Sequence, residues 1–153
     1  MSSPAATDAP ADLQEHLARL TARGLVTRID KPIDKDSELH PLARWQFQGG
    51  LRDEERRAFL FTNVVGAHGE KYDIPVLVGG LAASPEIYAA GLGVPVSEIG
   101  RVWVKAMAAP IPPIPVNDAP CQDVVITGDD LKKEGLAALP VPGWWLLFGG
   151  GVS

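Results

Sequence analysis

The sequence predicts an α/β fold, a small mixed sheet flanked by helices, followed by a proline-rich linker and the start of a second domain. Three observations carry this. Apolar residues recur at helical spacing in several stretches, the clearest being Leu13 to Leu20 and Ile99 to Met107. Between those stretches lie short β-rich runs closed by glycine or polar turns. The loop between the runs Phe59–Val65 and Ile74–Val78 is short enough for antiparallel pairing, whereas a purely parallel sheet would need a long crossover there.

Residues 1–10 are rich in Ser, Ala and Pro, without periodicity, and read as a disordered tail. Asp12 caps the first helix, with Glu15 three residues on. Leu13, Leu17 and Leu20 share one face, and Gly24 stops the helix. Leu25 to Ile29 is a strand. Pro32 and Asp34–Ser37 form a turn into a second helix, capped by Ser37 or His40, with Pro41 in its first turn. Leu39, Leu42 and Ala43 open the apolar face of that helix, and Gly49-Gly50 ends it. Phe59–Val65 is a strand, Gly66–Asp73 a turn, and Ile74–Val78 a strand ending at Gly79-Gly80. Ser84-Pro85-Glu86 begins a short helix that stops near Gly91 or Gly93. The next helix runs from about Val96 to Ala108, with Ile99, Val102, Trp103, Ala106 and Met107 on a core-facing side. Pro110–Pro115 must be extended, and residues 110–118 form a stiff linker. Asp123–Thr127 reads as a last strand and Gly128-Asp129-Asp130 as a turn.

Composition narrows function. The chain has 153 residues, 46% of them hydrophobic, enough for one ordinary domain core. A net charge of −5 and interleaved charges at Arg52, Asp53, Glu54, Glu55, Arg56 and Arg57 argue against nucleic acid as a partner. Cys121 is the one cysteine, so no internal disulfide can form. Met1–Asp8 lacks a basic and an apolar segment, so no signal peptide is read there. No apolar run reaches the roughly 20 residues of a membrane span. A cytoplasmic protein without a membrane partner is the expectation.

Candidate chemistry is sparse. His16, His40 and His68 lie on separate elements without zinc-site spacing, and are read as surface residues. Cys121 has no neighbouring base to activate it and is read as a strand-edge residue. Gly79-Gly80, Gly91, Gly93 and Gly100 match neither phosphate-loop nor dinucleotide fingerprints, so they are read as turns and helix stops. Asp129-Asp130 is first a turn and helix cap, although paired acids can hold a divalent cation. Two overlapping P-x-x-P patterns, Pro110 to Pro113 and Pro112 to Pro115, lack flanking arginines and are read as a spacer. No catalytic, cofactor-binding or metal residue is assigned. Trp144, Trp145, Leu146, Leu147 and Phe148 form an apolar cluster suited to self-association.

Several segments together resemble the N-terminal region of UbiD-type decarboxylases. They are Asp12-Leu13 with the helix to Gly24, Val26–Ile29, Leu60-Phe61 with Asn63-Val64, and Pro75–Gly79. The most specific are Pro112–Val116, Ala119–Leu131 and Leu139–Pro142. The resemblance implies an N-terminal α/β domain over residues 11–109 and, from residues 119–142, the start of a split-barrel domain. It implies a carboxy-lyase that reversibly decarboxylates an aromatic or α,β-unsaturated acid. Such enzymes use prenylated FMN with a divalent metal and potassium, and an Arg and two Glu of the later region for acid–base work. No position here matches those residues, so this segment is expected to bind no cofactor, to be structural and to be inactive alone. Its partner would be the rest of the decarboxylase chain or a complementary subunit. Residues 143–153 depart from the family pattern and look foreign to it, as after a shifted reading frame. The competing expectation is a non-enzymatic module that binds a partner protein through the proline stretch and Trp144-Trp145.

Overall fold

The computed structural model describes residues 8–117, 119, 122–135 and 138–141. Helix α1 spans Leu13–Ala22. The Asp12 carboxylate accepts the Glu15 amide at 2.8 Å, and Glu15 reaches back to the Ala11 amide at 2.7 Å. Two otherwise unpartnered helix-start donors are thereby satisfied. At the other end Gly24, at φ +67°, lets the Leu25 amide return to the Leu20 carbonyl at 2.9 Å. The buried face differs from the leucine stripe read in the sequence. His16 and Leu20 are buried, whereas Leu13 is 55% exposed. Residues Asp8–Pro10 belong to the segment expected to be a loose tail, yet Arg19 binds both the carbonyl and the carboxylate of Asp8. The Asp8–Ala9 backbone lies so close to Gly93 that no Cβ fits there.

Three chain segments build the sheet, and each is broken once. The strands are β1 (Val26–Ile29), β2 (Ile33–Asp34), β3 (Ala58–Phe61), β4 (Val64–Val65), β5 (Lys71–Tyr72) and β6 (Val76–Val78). They form two three-stranded sheets, ordered β1-β3-β6 and β2-β4-β5. In both, the first pair is parallel and the second antiparallel. The antiparallel pairing expected of β3 and β6 is present, with Phe59 opposite Val78 and Phe61 opposite Val76. The single strand expected over Phe59–Val65 is instead split at Thr62-Asn63. There the Thr62 hydroxyl and the Asn63 amide turn to Asp30, on the neighbouring segment. Pro32, which has no N–H to give a ladder, lies in the matching break between β1 and β2. The turn expected at 34–37 accordingly overlaps the end of β2 at Asp34, that at 66–73 contains β5, and the strand expected from Ile74 starts at Val76.

Alternation along the strands sends side chains to two cores. Val26, Ala58 and Leu77 join Leu20, Ile87 and Ala90 on the side of α1 and of α3, which spans Pro85–Leu92. Ile29, Phe59, Phe61, Val76 and Val78 face the other side with Leu39 from α2, which spans Leu39–Gln48. This three-layer arrangement is the α/β class expected. Neither Ser37 nor His40 caps α2: its N-cap is Glu38, without a side-chain bond. Asp34 organises that turn instead, accepting the amides of Asp36 and Ser37 at 2.7 and 2.9 Å.

Helix α4 spans Ile99–Ala108. The sequence placed Trp103 on a core face, but α4 buries no residue, and Trp103 and Met107 are 47% and 75% exposed. Residues 110–117 are neither helix nor strand. The strand expected over Asp123–Thr127 is absent. Val124 and Val125 are 76% and 71% exposed there, and no strand among the described residues lies beside them to complete a ladder. A short helix α5, Leu131–Glu134, follows a 3-10 turn over Gly128–Asp130.

Ser84 tests how the sheet hands over to α3. Its buried hydroxyl accepts the Ile87 amide at 3.3 Å. Ser84→Ala is expected to cost about 0.5–2 kcal/mol in urea unfolding. An unchanged midpoint would show that the cap contributes nothing.

Candidate functional site

The described polar side chains buried in this chain are His16, Gln46 and Ser84, and all three lie around the turn that leaves β6. Gly79 has φ +75°, and a Cβ on it would lie 2.9 Å from the Ala83 Cβ. Only glycine meets both demands. The Ala83 amide then closes on the Gly79 carbonyl at 3.1 Å. The buried Gly80 carbonyl is met by His16 Nε2 at 2.7 Å. A carbonyl only accepts, so Nε2 carries the proton and donates. Gln46 of α2 approaches from the opposite layer and accepts the Arg57 amide at 3.0 Å. His16 Nδ1 and Gln46 Nε2 are buried without a partner.

Over this turn lies an open groove of about 570 Å³, lined by Leu13, Phe47, Leu77 and residues 79–83. No charged side chain among the described residues lines it. A smaller depression of about 340 Å³ lies beside it, between Asp53, Arg56, Ser84, Tyr88 and Ile99. There the Arg56 guanidinium pairs with Asp53 at 2.7 Å and lies 5.3 Å from the Phe47 ring centre. Such surfaces can receive apolar groups but supply neither a nucleophile nor a poised acid–base pair. His16 is 3% exposed and committed to a carbonyl, which removes it from solvent.

The perturbed carboxylates have structural causes. The Ala11 amide, then Arg19, lowers Glu15. The Thr62 hydroxyl, then Arg28, lowers Asp30. The amides of Ser37 and Asp36 lower Asp34. A folded pKa below the unfolded value means stability present at neutral pH and lost as pH falls through the carboxylate range. Glu55 is lowered likewise, by the Arg52 side chain and then the Arg52 amide, and all four groups are solvent-accessible turn and cap residues, a setting different from a desolvated catalytic acid.

The residues singled out in the sequence do not converge. Only His16 departs from the surface reading, and it does so by being buried. His40 is half-buried at the start of α2, and His68 is exposed in the loop before β5. Asp129 pairs with Lys132 at 2.7 Å, and Asp130 precedes α5 without a side-chain cap. Ile111 and Ile114 in the proline stretch are 87% and 82% exposed. Cys121, Trp144 and Trp145 lie outside the described residues. Among the described residues no group of three His, Cys, Asp or Glu could hold a metal. Sequence reasoning missed Gln46 and the burial of His16. The one available signal was that His16, four residues before Leu20, shares its helical stripe.

Comparison with known proteins places this geometry. Residues 17–107 match the N-terminal domain of 3-octaprenyl-4-hydroxybenzoate carboxy-lyase, UbiD. Among solved structures, an evolved dimeric form of the UbiD-class enzyme HmfF from Pelotomaculum thermopropionicum, in complex with prFMN, is 31% identical with a TM-score of 0.51. The HmfF structure in complex with FMN is 32% identical with a TM-score of 0.50. Each match covers 65% of this chain and 20% of the other. The chain thus spans about a fifth of the solved structures it matches.

The His16 contact has a direct readout. His16→Ala would strand the buried Gly80 carbonyl, an expected loss of about 1–3 kcal/mol. His16→Gln, which restores an N–H, should recover part of it. Denaturant unfolding of the three proteins decides, and equal stability of His16→Ala and wild type would refute the clamp.

Proposed function

Since this chain belongs to the UbiD carboxy-lyase family through its N-terminal domain, we propose that it is the structural N-terminal segment of a decarboxylase. Its substrate is an aromatic or α,β-unsaturated carboxylic acid. The observation that carries the reading is the family match over more than half of the chain, on a fold shared with an enzyme solved with prFMN. Residues 11–109 form the α/β domain, 110–118 a spacer and 119–142 the entry to a split-barrel domain. Decarboxylation needs a sink for the electron pair left when carbon dioxide departs, and the flavin supplies it. Prenylated FMN, with a divalent metal and potassium, is held by the remainder of the enzyme, on the same chain or a complementary subunit. A cytoplasmic location accompanies this reading. No described helix is long and apolar enough to cross a membrane.

The described residues do not fit a flavin mononucleotide. The large groove has no cation to meet a phosphate, and in the smaller depression Arg56 is already paired with Asp53. No step of the reaction is therefore assigned to this segment. Its residues hold the turn after β6 and present α4 and the spacer. The rival role as an interaction module rests on the exposure of Ile111 and Ile114, which a spacer also leaves in water.

Two arms test the reading. The 153-residue chain is expected to leave the fluorescence of FMN unchanged at tens of micromolar and to release no carbon dioxide from aromatic acids. HmfF whose matching segment is replaced by residues 12–109 of this chain should still bind FMN. Micromolar binding by the chain alone would overturn its purely structural role. A chimera without flavin, beside an HmfF control that binds it, would overturn the family role.

We further propose self-association through Trp144–Phe148. Burial of each large apolar side chain is worth roughly 1.5–3 kcal/mol. Sedimentation of the full chain beside a version ending at Pro142 is expected to show a larger species only for the full chain. Identical monomers would refute the association.

A further inference from the structure

Helix α4 is amphipathic, yet it is the helix of the family domain that buries nothing. Ile99, Val102, Trp103, Ala106 and Met107 follow one another at i, i+3, i+4, i+7 and i+8, so they form one stripe. The N-terminal end of the stripe is anchored. Ile99 borders the depression beside α3, and Trp103 Nε1 donates to Tyr88 Oη at 2.6 Å. Beyond that anchor the stripe faces solvent, with Met107 75% exposed. Ile111, Ile114 and Val116 of the spacer, at 87%, 82% and 67%, continue the apolar exposure.

The family match runs to residue 107 and so includes most of α4. The stripe therefore lies within the matched domain and not in a segment added to it. In the matched solved structures the domain occupies 20% of a single polypeptide. We propose that the apolar stripe of α4 is the docking surface for the remaining part of that same UbiD-class polypeptide. This rests on the proposed family role.

Size favours such a tethered occupant over a second copy. A ten-residue helix is about 15 Å long. One stripe of that length falls well short of the roughly 800 Å² per partner that a stable free complex buries. A partner joined by a short proline-stiffened spacer needs far less, because tethering supplies an effective concentration in the millimolar range.

Amide exchange across α4 tests the docking in the FMN-binding HmfF chimera, extended to residue 116 of this chain. Exchange there should be at least about tenfold slower than in the 153-residue chain. Trp103→Glu with Met107→Glu should abolish the slowing in the chimera. Met107→Glu alone, which spares the Trp103–Tyr88 anchor, should leave the unfolding midpoint of the isolated chain nearly unchanged, because Met107 is 75% exposed there. A chimera that binds FMN with α4 exchanging as fast as in the isolated chain would overturn the docking surface and leave the family role standing. A chimera that loses FMN would remove both. A dimer of the chain ending at Pro142 that the double substitution dissociates would make a second copy the occupant and overturn the proposal. Burial of the matching helix in the solved prFMN-bound enzyme by residues outside its own N-terminal domain is the independent check. Solvent exposure of that helix would refute the docking without any chimera.

Discussion

The hydrogen bond from His16 to the Gly80 carbonyl holds together the parts of the fold that local sequence cannot align. At the end of β6 the chain must turn sharply, because Gly79 stands at φ +75° and Ala83 closes back on it. The turn leaves one carbonyl facing inward, where an unmet acceptor is costly. The imidazole meets it at 2.7 Å and fastens α1, sixty-four residues earlier, to the end of the sheet. Gly91 backs onto the same ring, so α3 shares the contact. Ala83, Ser84, Ile87 and Ala90 then fall into the core in register with Leu20 and Ala58.

A second constraint acts across the sheet. Each of its three segments breaks at about the same level, and the polar groups at the breaks bond to one another. Thr62 and Asn63 turn to Asp30, the Thr62 amide goes to the Ile29 carbonyl, and the Ile33 amide to the Asn63 carbonyl. Hydrogen bonding is therefore continuous across the breaks of the first two segments although the regular ladders are not. The second sheet stays short, two residues to a strand, and Asp34 leaves it directly into the turn that starts α2.

The outer surface is unevenly finished. The sheet is covered on both faces, whereas the groove above residues 79–83 and the stripe of α4 present leucine, phenylalanine, tryptophan and methionine to water. Contiguous apolar surface of this kind is usual where another body packs. It fits a domain that forms a fifth of the solved enzymes it resembles, which are in complex with prFMN or FMN.

The sequence by itself determined the ends of α1 and α3 and the class of the fold. Asp12, Ser84-Pro85, Gly24 and Gly93 act within a few residues of their own backbone, so their consequences are legible locally. It also carried the family likeness, in motifs whose order is hard to match otherwise. Tertiary structure alone decided what depends on distant partners. The buried face of α1 includes His16 because a carbonyl sixty-four residues away needs a donor. The run Phe59–Val65 divides because Asp30 offers Thr62 and Asn63 an alternative to the ladder. Residues 123–127 have strand composition, but among the described residues no strand lies beside them, and β structure exists only in pairs. Trp103 keeps a helical stripe that periodicity reads as core, yet periodicity reports only that a face is apolar. Whether that face is covered depends on what is packed against it.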